Sequence, residues 1–133
     1  MGLFNFFQSN PSKKFVSEKE FKSNTTKQMS MTPQTLKQLR KYNVTETKEL
    51  KLEFFFYTNT IDKAKAFAGE LSKLSYDVNF GKAAGVRNQF VITGWTEKMP
   101  MSETIVNTWT KQMCEVGYAF DCDFDGWGTN PDQ

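Results

Sequence analysis

The sequence predicts an α+β sandwich: two helices on one face of a four-stranded sheet, with an extra helix at the N-terminal side. Three observations predict it. Strand-like and helix-like segments follow one another in the order β-α-β-β-α-β. The two apolar helical stripes share a register when the first half is shifted by 42 residues, which sets Ala64 on Val106, Phe67 on Trp109, Leu71 on Met113, Leu74 on Val116 and Tyr76 on Tyr118. Thirteen phenylalanines and an aromatic content of 15% in 133 residues supply the bulk for one packed core. Two helix–strand units in one register point to a split-βαβ, ferredoxin-like fold.

The elements follow in order. Residues 8–30, "QSNPSKKFVSEKEFKSNTTKQMS", are rich in Ser, Asn and Lys and hold no sustained period. Residues 1–30 are therefore expected to be a basic, poorly ordered or loosely docked segment ahead of a domain at 31–133. A helix is expected from Thr32, a good N-cap, with Pro33 at its first position, through Leu36, Leu39 and Tyr42 to about Asn43. "KLEFFFYT" reads as the first strand. Ile61, Ala64, Phe67, Leu71 and Leu74 then recur at helical spacing, with Asp62 at the electropositive end. "YDVNF" is the second strand, "KAAGVRN" a turn around Gly85, and "QFVITGW" the third strand. After Pro100, the stripe Ile105, Val106, Trp109, Met113 and Val116 forms the last helix, ended by Gly117, and "YAFDCDF" the fourth strand.

Composition narrows the chemistry. The chain holds no histidine, which removes the usual general base, the commonest metal ligand and every Ser–His or Cys–His pair. Cys114 and Cys122 are too few for a disulfide scaffold and form no CxxC pair, so they read as small buried hydrophobes in a reducing compartment. No apolar run approaches the twenty or so residues of a membrane span, and the start "MGLFNFFQSN" lacks the basic region of a secretory signal. A cytoplasmic location is expected. The net charge of +2 hides an asymmetry: residues 1–43 carry +6, residues 44–133 carry −4. A basic segment is thus joined to an acidic body.

"DCDFDGWGTNPD", residues 121–132, has two readings. Asp121, Asp123, Asp125 and Gly126, closed by Asp132, match much of a twelve-residue calcium loop. That loop needs an exiting helix and a bidentate Glu at its end; here one residue follows Asp132. The alternation Phe120, Cys122, Phe124 makes the same stretch a strand. The strand is the expectation, and no metal or cofactor is expected.

The "DGWGT" run, "EFFFYTNTIDKAKAFAGELSKLSYDV" and "TPQTLKQLRKYN" together resemble the ribonuclease E inhibitor family RraB, over roughly residues 32–129. The resemblance implies a ferredoxin-like domain that catalyses nothing and regulates an endoribonuclease by binding it. This chain departs from the family's pattern in its basic N-terminal segment and in lacking a long acidic tail.

Strand period divides the sheet residues into two sets. Phe54, Phe56, Val78, Phe80, Phe90, Ile92, Phe120, Cys122 and Phe124 are expected under the helices. The alternate set includes Glu53, Phe55, Tyr57, Asp77, Trp95, Asp121, Asp123 and Asp125, aromatics among carboxylates. Phe55, Tyr57, Trp95, Asp121, Asp123, Asp125 and Trp127 are the expected partner-binding residues, suited to a basic protein partner. Rings on a four-stranded sheet also suit stacked RNA bases, but the acids argue against direct nucleic-acid binding. Neutralising a toxin, as an immunity protein does, is the other binding role open to such a chain. If all three aspartates share one strand face, Asp121 and Asp123 are expected to tolerate Asn without loss of fold.

Overall fold

The computed structural model describes residues 13–133; the first twelve residues of the expected lead-in lie outside them. The remainder of that lead-in is built into the fold. Helix α1 spans Glu18–Arg40, so it runs straight through the position where a helix start was expected. Its true start is a capping box. Ser17 Oγ accepts from the Glu20 amide at 3.1 Å, and Glu20 Oε1 accepts from the Ser17 amide at 2.9 Å. Glu18 and Glu20 sit at the positive end of the helix, Lys37 and Arg40 at the negative end. Thr32 is 1% exposed with its hydroxyl unpartnered, so it caps nothing, and Pro33 lies inside the helix. The buried face of α1 is Gln28, Thr32, Leu36 and Leu39.

The strands and helices after it are β1 (Glu49–Leu50), β2 (Glu53–Thr58), α2 (Ile61–Ser72), β3 (Asp77–Lys82), β4 (Phe90–Trp95), β5 (Met99–Pro100), α3 (Glu103–Ala119) and β6 (Asp123–Gly128). β1 and β5 make a small antiparallel pair that the sequence did not announce. The four longer strands form an antiparallel sheet ordered β3-β4-β2-β6. β4 is antiparallel to both β2 and β3, so β2 and β3 run parallel with β4 between them. Each of the two helices α2 and α3 crosses over between strands of this one sheet.

Side-chain alternation explains where the core sits. In β2, Phe54, Phe56 and Thr58 are fully buried while Glu53, Phe55 and Tyr57 are half-buried. Phe56 meets Phe67 of α2 edge-on at 4.6 Å between centroids, and Phe124 of β6 at 5.0 Å. Gly94 in β4 has no room for a side chain: an added Cβ would stand 1.8 Å from the Asp77 carbonyl oxygen. Each fully buried phenylalanine contributes about 2–3 kcal/mol of apolar transfer. α1 packs along α3, where Phe21 stacks on Tyr118 at 4.3 Å.

The last helix and strand differ from expectation in their boundary. Gly117 does not end α3. It is a buried helical position whose Cβ would lie 2.7 Å from the Phe56 ring and 2.8 Å from the Cys122 carbonyl. The helix ends two residues later through a Schellman pattern: the Cys122 amide donates to Gly117 O at 2.8 Å, and the Asp121 amide to Tyr118 O at 3.0 Å. Asp121 takes the left-handed position, φ 59°, where glycine is usual. Phe120, Asp121 and Cys122 are therefore outside the strand, and Asp121 is removed from the sheet face.

Candidate functional site

The sheet face opposite the one that packs on α2 and α3 gathers most of the expected docking residues. Strand register places Glu53 opposite Trp95, Phe55 opposite Thr93, and Tyr57 opposite Val91. On the other side Tyr57 lies opposite Asp123 and Phe55 opposite Gly126. Asp77 extends the row beside Trp95. Phe55, Tyr57, Val91 and Trp95 are half-buried, sheltered by sheet neighbours but covered by no packed helix among the described residues. Among those residues the strand positions on this face include three acids, Glu53, Asp77 and Asp123, and no Lys or Arg. Rings ringed by uncompensated carboxylates suit a ligand with apolar and cationic parts.

Asp125 joins this margin by a different device. The β2–β6 ladder shifts register between Phe55 and Phe56, which leaves Asp125 as the extra, exposed residue of a bulge. Gly126, at φ 119°, supplies the backbone conformation the bulge requires. Burial first, then the charges of Asp125 and Glu20, hold the Asp123 carboxyl above its usual range against a smaller pull from Lys27. Asn24 of α1 donates to Asp123 Oδ1 at 3.3 Å and to the Phe124 carbonyl at 2.7 Å. α1 thus shields the outer edge of β6, a role that its polar composition concealed.

Asp121 and Trp127 are elsewhere. The Asp121 carboxylate accepts from the Phe15 amide at 2.7 Å, the Val16 amide at 2.8 Å and Lys63 Nζ at 2.7 Å. Burial pushes its pKa up, but these donors outweigh burial and the net shift is downward. It is a clasp between the chain ahead of α1, the start of α2 and the end of α3. Trp127 lies opposite Phe54, under the helices, and meets Trp109 at 6.4 Å. With Leu39, Tyr42 and Pro131 it lines an apolar recess of about 420 Å³. The "DGWGT" run therefore has structural tasks: the bulge at Asp125 and Gly126, a partly buried tryptophan packed against the core, and Thr129 donating to Lys51 O at 2.7 Å.

Cys114 and Cys122 are buried free thiols, pushed by desolvation to about 11 and about 12, which leaves them protonated and poor nucleophiles. Among the described residues no group of three His, Cys, Asp or Glu is placed to hold a metal ion, and no helix is long and apolar enough to cross a membrane.

A family model described as regulator of ribonuclease activity B matches residues 29–129. No curated protein matches the chain.

Proposed function

The chain belongs to the RraB family of regulators of ribonuclease activity, and from that premise we propose that it is a non-catalytic protein that binds an endoribonuclease of the ribonuclease E type and lowers its activity. The ferredoxin-like reading of the fold goes with this proposal: with strand order β3-β4-β2-β6, no helix among the described residues packs on the sheet face that carries Phe55, Tyr57 and Trp95. That face is the docking surface in this reading. The observation that carries it is the combination of Phe55, Tyr57 and Trp95 with Glu53, Asp77 and Asp123 and no cation among the described strand positions of that face.

Such a surface favours a basic, partly apolar protein segment. Aromatic anchors supply most of the binding energy, and the acids raise the association rate. It disfavours RNA itself, whose phosphates would meet carboxylates. The test is binding of the purified host endoribonuclease at low salt, with and without excess RNA. Association that RNA does not displace supports direct protein recognition. Association that nuclease treatment abolishes shows RNA to be the ligand and overturns the proposal.

A further inference from the structure

The row of rings on the sheet face starts close to where the chain ahead of α1 is fastened. The Lys13 carbonyl accepts from Asn59 Nδ2 at 3.0 Å and from Lys63 Nζ at 2.9 Å. Asn59 is two residues past Tyr57, the end ring of that row. Phe15 lines one recess with Asp123, the cross-strand neighbour of Tyr57. The twelve residues before Lys13 therefore set out from the Tyr57 end of the face. Extended, they span up to about 40 Å, whereas Trp95, opposite Glu53, lies about 14 Å from Tyr57. Every ring on the face is within their reach.

Their composition fits what they would meet. "MGLFNFFQSNPS" sets Leu3, Phe4, Phe6 and Phe7 within five positions and holds no Lys, Arg, Asp or Glu. Such a segment supplies rings to pack on Phe55, Tyr57 and Trp95, and brings no charge that the carboxylates would repel. The face also has room beside its rings. Gly81 lies opposite Val91 on this side of the sheet, and an added Cβ there would meet nothing within 4 Å among the described residues.

We infer that residues 1–12 lie across the aromatic row of their own chain and mask it until a partner displaces them. The inference rests on the docking reading of this face given above and adds its regulation. Tethering selects the occupant. A segment joined at Lys13 stands over the face at an effective concentration of about millimolar, whereas a second copy or a free peptide of the same chemistry arrives only at its bulk concentration. A basic partner segment must compete with the mask, and its apparent affinity falls by the fraction of chains in which the face is open. Glu53, Asp77 and Asp123 still attract that partner while the rings are covered.

Nuclear magnetic resonance of the full chain tests the contact with no partner present. Overhauser contacts are expected from the Phe4, Phe6 or Phe7 ring protons to the Val91 methyls and to the Tyr57 and Trp95 rings. A mixture of labelled and unlabelled chains is expected to show them within one chain. Phe4→Ser, Phe6→Ser and Phe7→Ser combined should remove them with circular dichroism unchanged. The same variant is expected to bind the endoribonuclease at least about fivefold more tightly, the factor for a face open in about one-fifth of the chains. Absence of the contacts in the wild type, or contacts only between chains, overturns the inference. So does an affinity that the triple variant leaves unchanged, because the segment then guards nothing. Contacts within one chain, with no ribonuclease binding by either form, uphold the mask and overturn the ribonuclease reading instead.

Discussion

Asp121→Asn removes one charge from a clasp that ties three parts of the chain together. The pair with Lys63 is 2.7 Å long, and the two side chains are only 15% and 19% exposed. Two backbone amides, Phe15 and Val16, also depend on the carboxylate. Hydrogen bonds to an ionised group contribute about 1.5–3 kcal/mol each when partners are lost, and Lys63 would keep the Lys13 carbonyl and Asn59 Oδ1 as acceptors but lose its counter-ion. Asparagine keeps one acceptor oxygen and tolerates the left-handed backbone, so part of this survives. The expected loss is about 2–3 kcal/mol at neutral pH, or a fall in Tm of about 10 °C for a chain of this size. Urea unfolding followed by circular dichroism measures it. The pH dependence has a definite sign. The folded pKa lies below the ordinary 3.8, so the stabilisation is complete above that value and disappears as pH falls through the lowered one. Wild type and variant should therefore converge in strong acid. Equal stability at pH 7, within about 0.5 kcal/mol, would refute the clasp, and with it the claim that residues 15 and 16 are fixed to the body of the fold.

Asp123→Asn should behave in the opposite way. Its folded pKa is raised, so the contribution of this carboxyl is present below the ordinary value and lost as pH rises through the folded one. The variant is expected to be as stable as wild type or slightly more stable at pH 7, by urea titration, with slower association to a basic partner at low salt. Gly117→Ala should destabilise by about 1–3 kcal/mol despite alanine's helix propensity, because the new methyl has the Phe56 ring and the Cys122 carbonyl in its space; thermal melts check it. Ser17→Ala removes the hydroxyl half of the capping box and should cost about 1 kcal/mol, with hydrogen exchange speeding first in the opening turn of α1.

The sheet and the two crossing helices were legible because their buried sides are apolar and periodic. Phe54 and Phe56 alternate in β2, and Ala64, Phe67 and Leu71 repeat along α2. α1 was not legible over its first half. Apart from Phe21, the residues it turns to the fold there are polar, Asn24 and Gln28, which cap the β6 edge, so the stripe carries little apolar signal. The one cue in the sequence was Ser17 followed by Glu20, a capping box that marks a helix only when an apolar stripe succeeds it. The pairing of Thr32 with Pro33 imitates a helix start more convincingly than the real one.

The candidate face was read well where strand period alone decides orientation. Phe55, Tyr57 and Trp95 share it as expected. It was misread where the chain leaves the period. The αL residue after α3 takes Asp121 off the sheet and into the core margin. The bulge at Asp125 then reverses the side on which later residues emerge, so Trp127 points under the helices. For the same reason Asp121 and Asp123 cannot be exchanged for Asn as a pair without consequence. One is held by Lys63 and two backbone amides, and the other lies on the sheet face beside Tyr57.

The central claim is that the aromatic, acidic sheet face binds the ribonuclease. The direct measurement is the affinity of purified endoribonuclease for wild type and for Trp95→Ala at low salt, by calorimetric titration, with cleavage rates followed on the same samples. Loss of one aromatic anchor is expected to cost about 2 kcal/mol, near thirtyfold in Kd, with the fold unchanged and inhibition weakened in parallel. A variant that binds and inhibits as the wild type does would contradict the account.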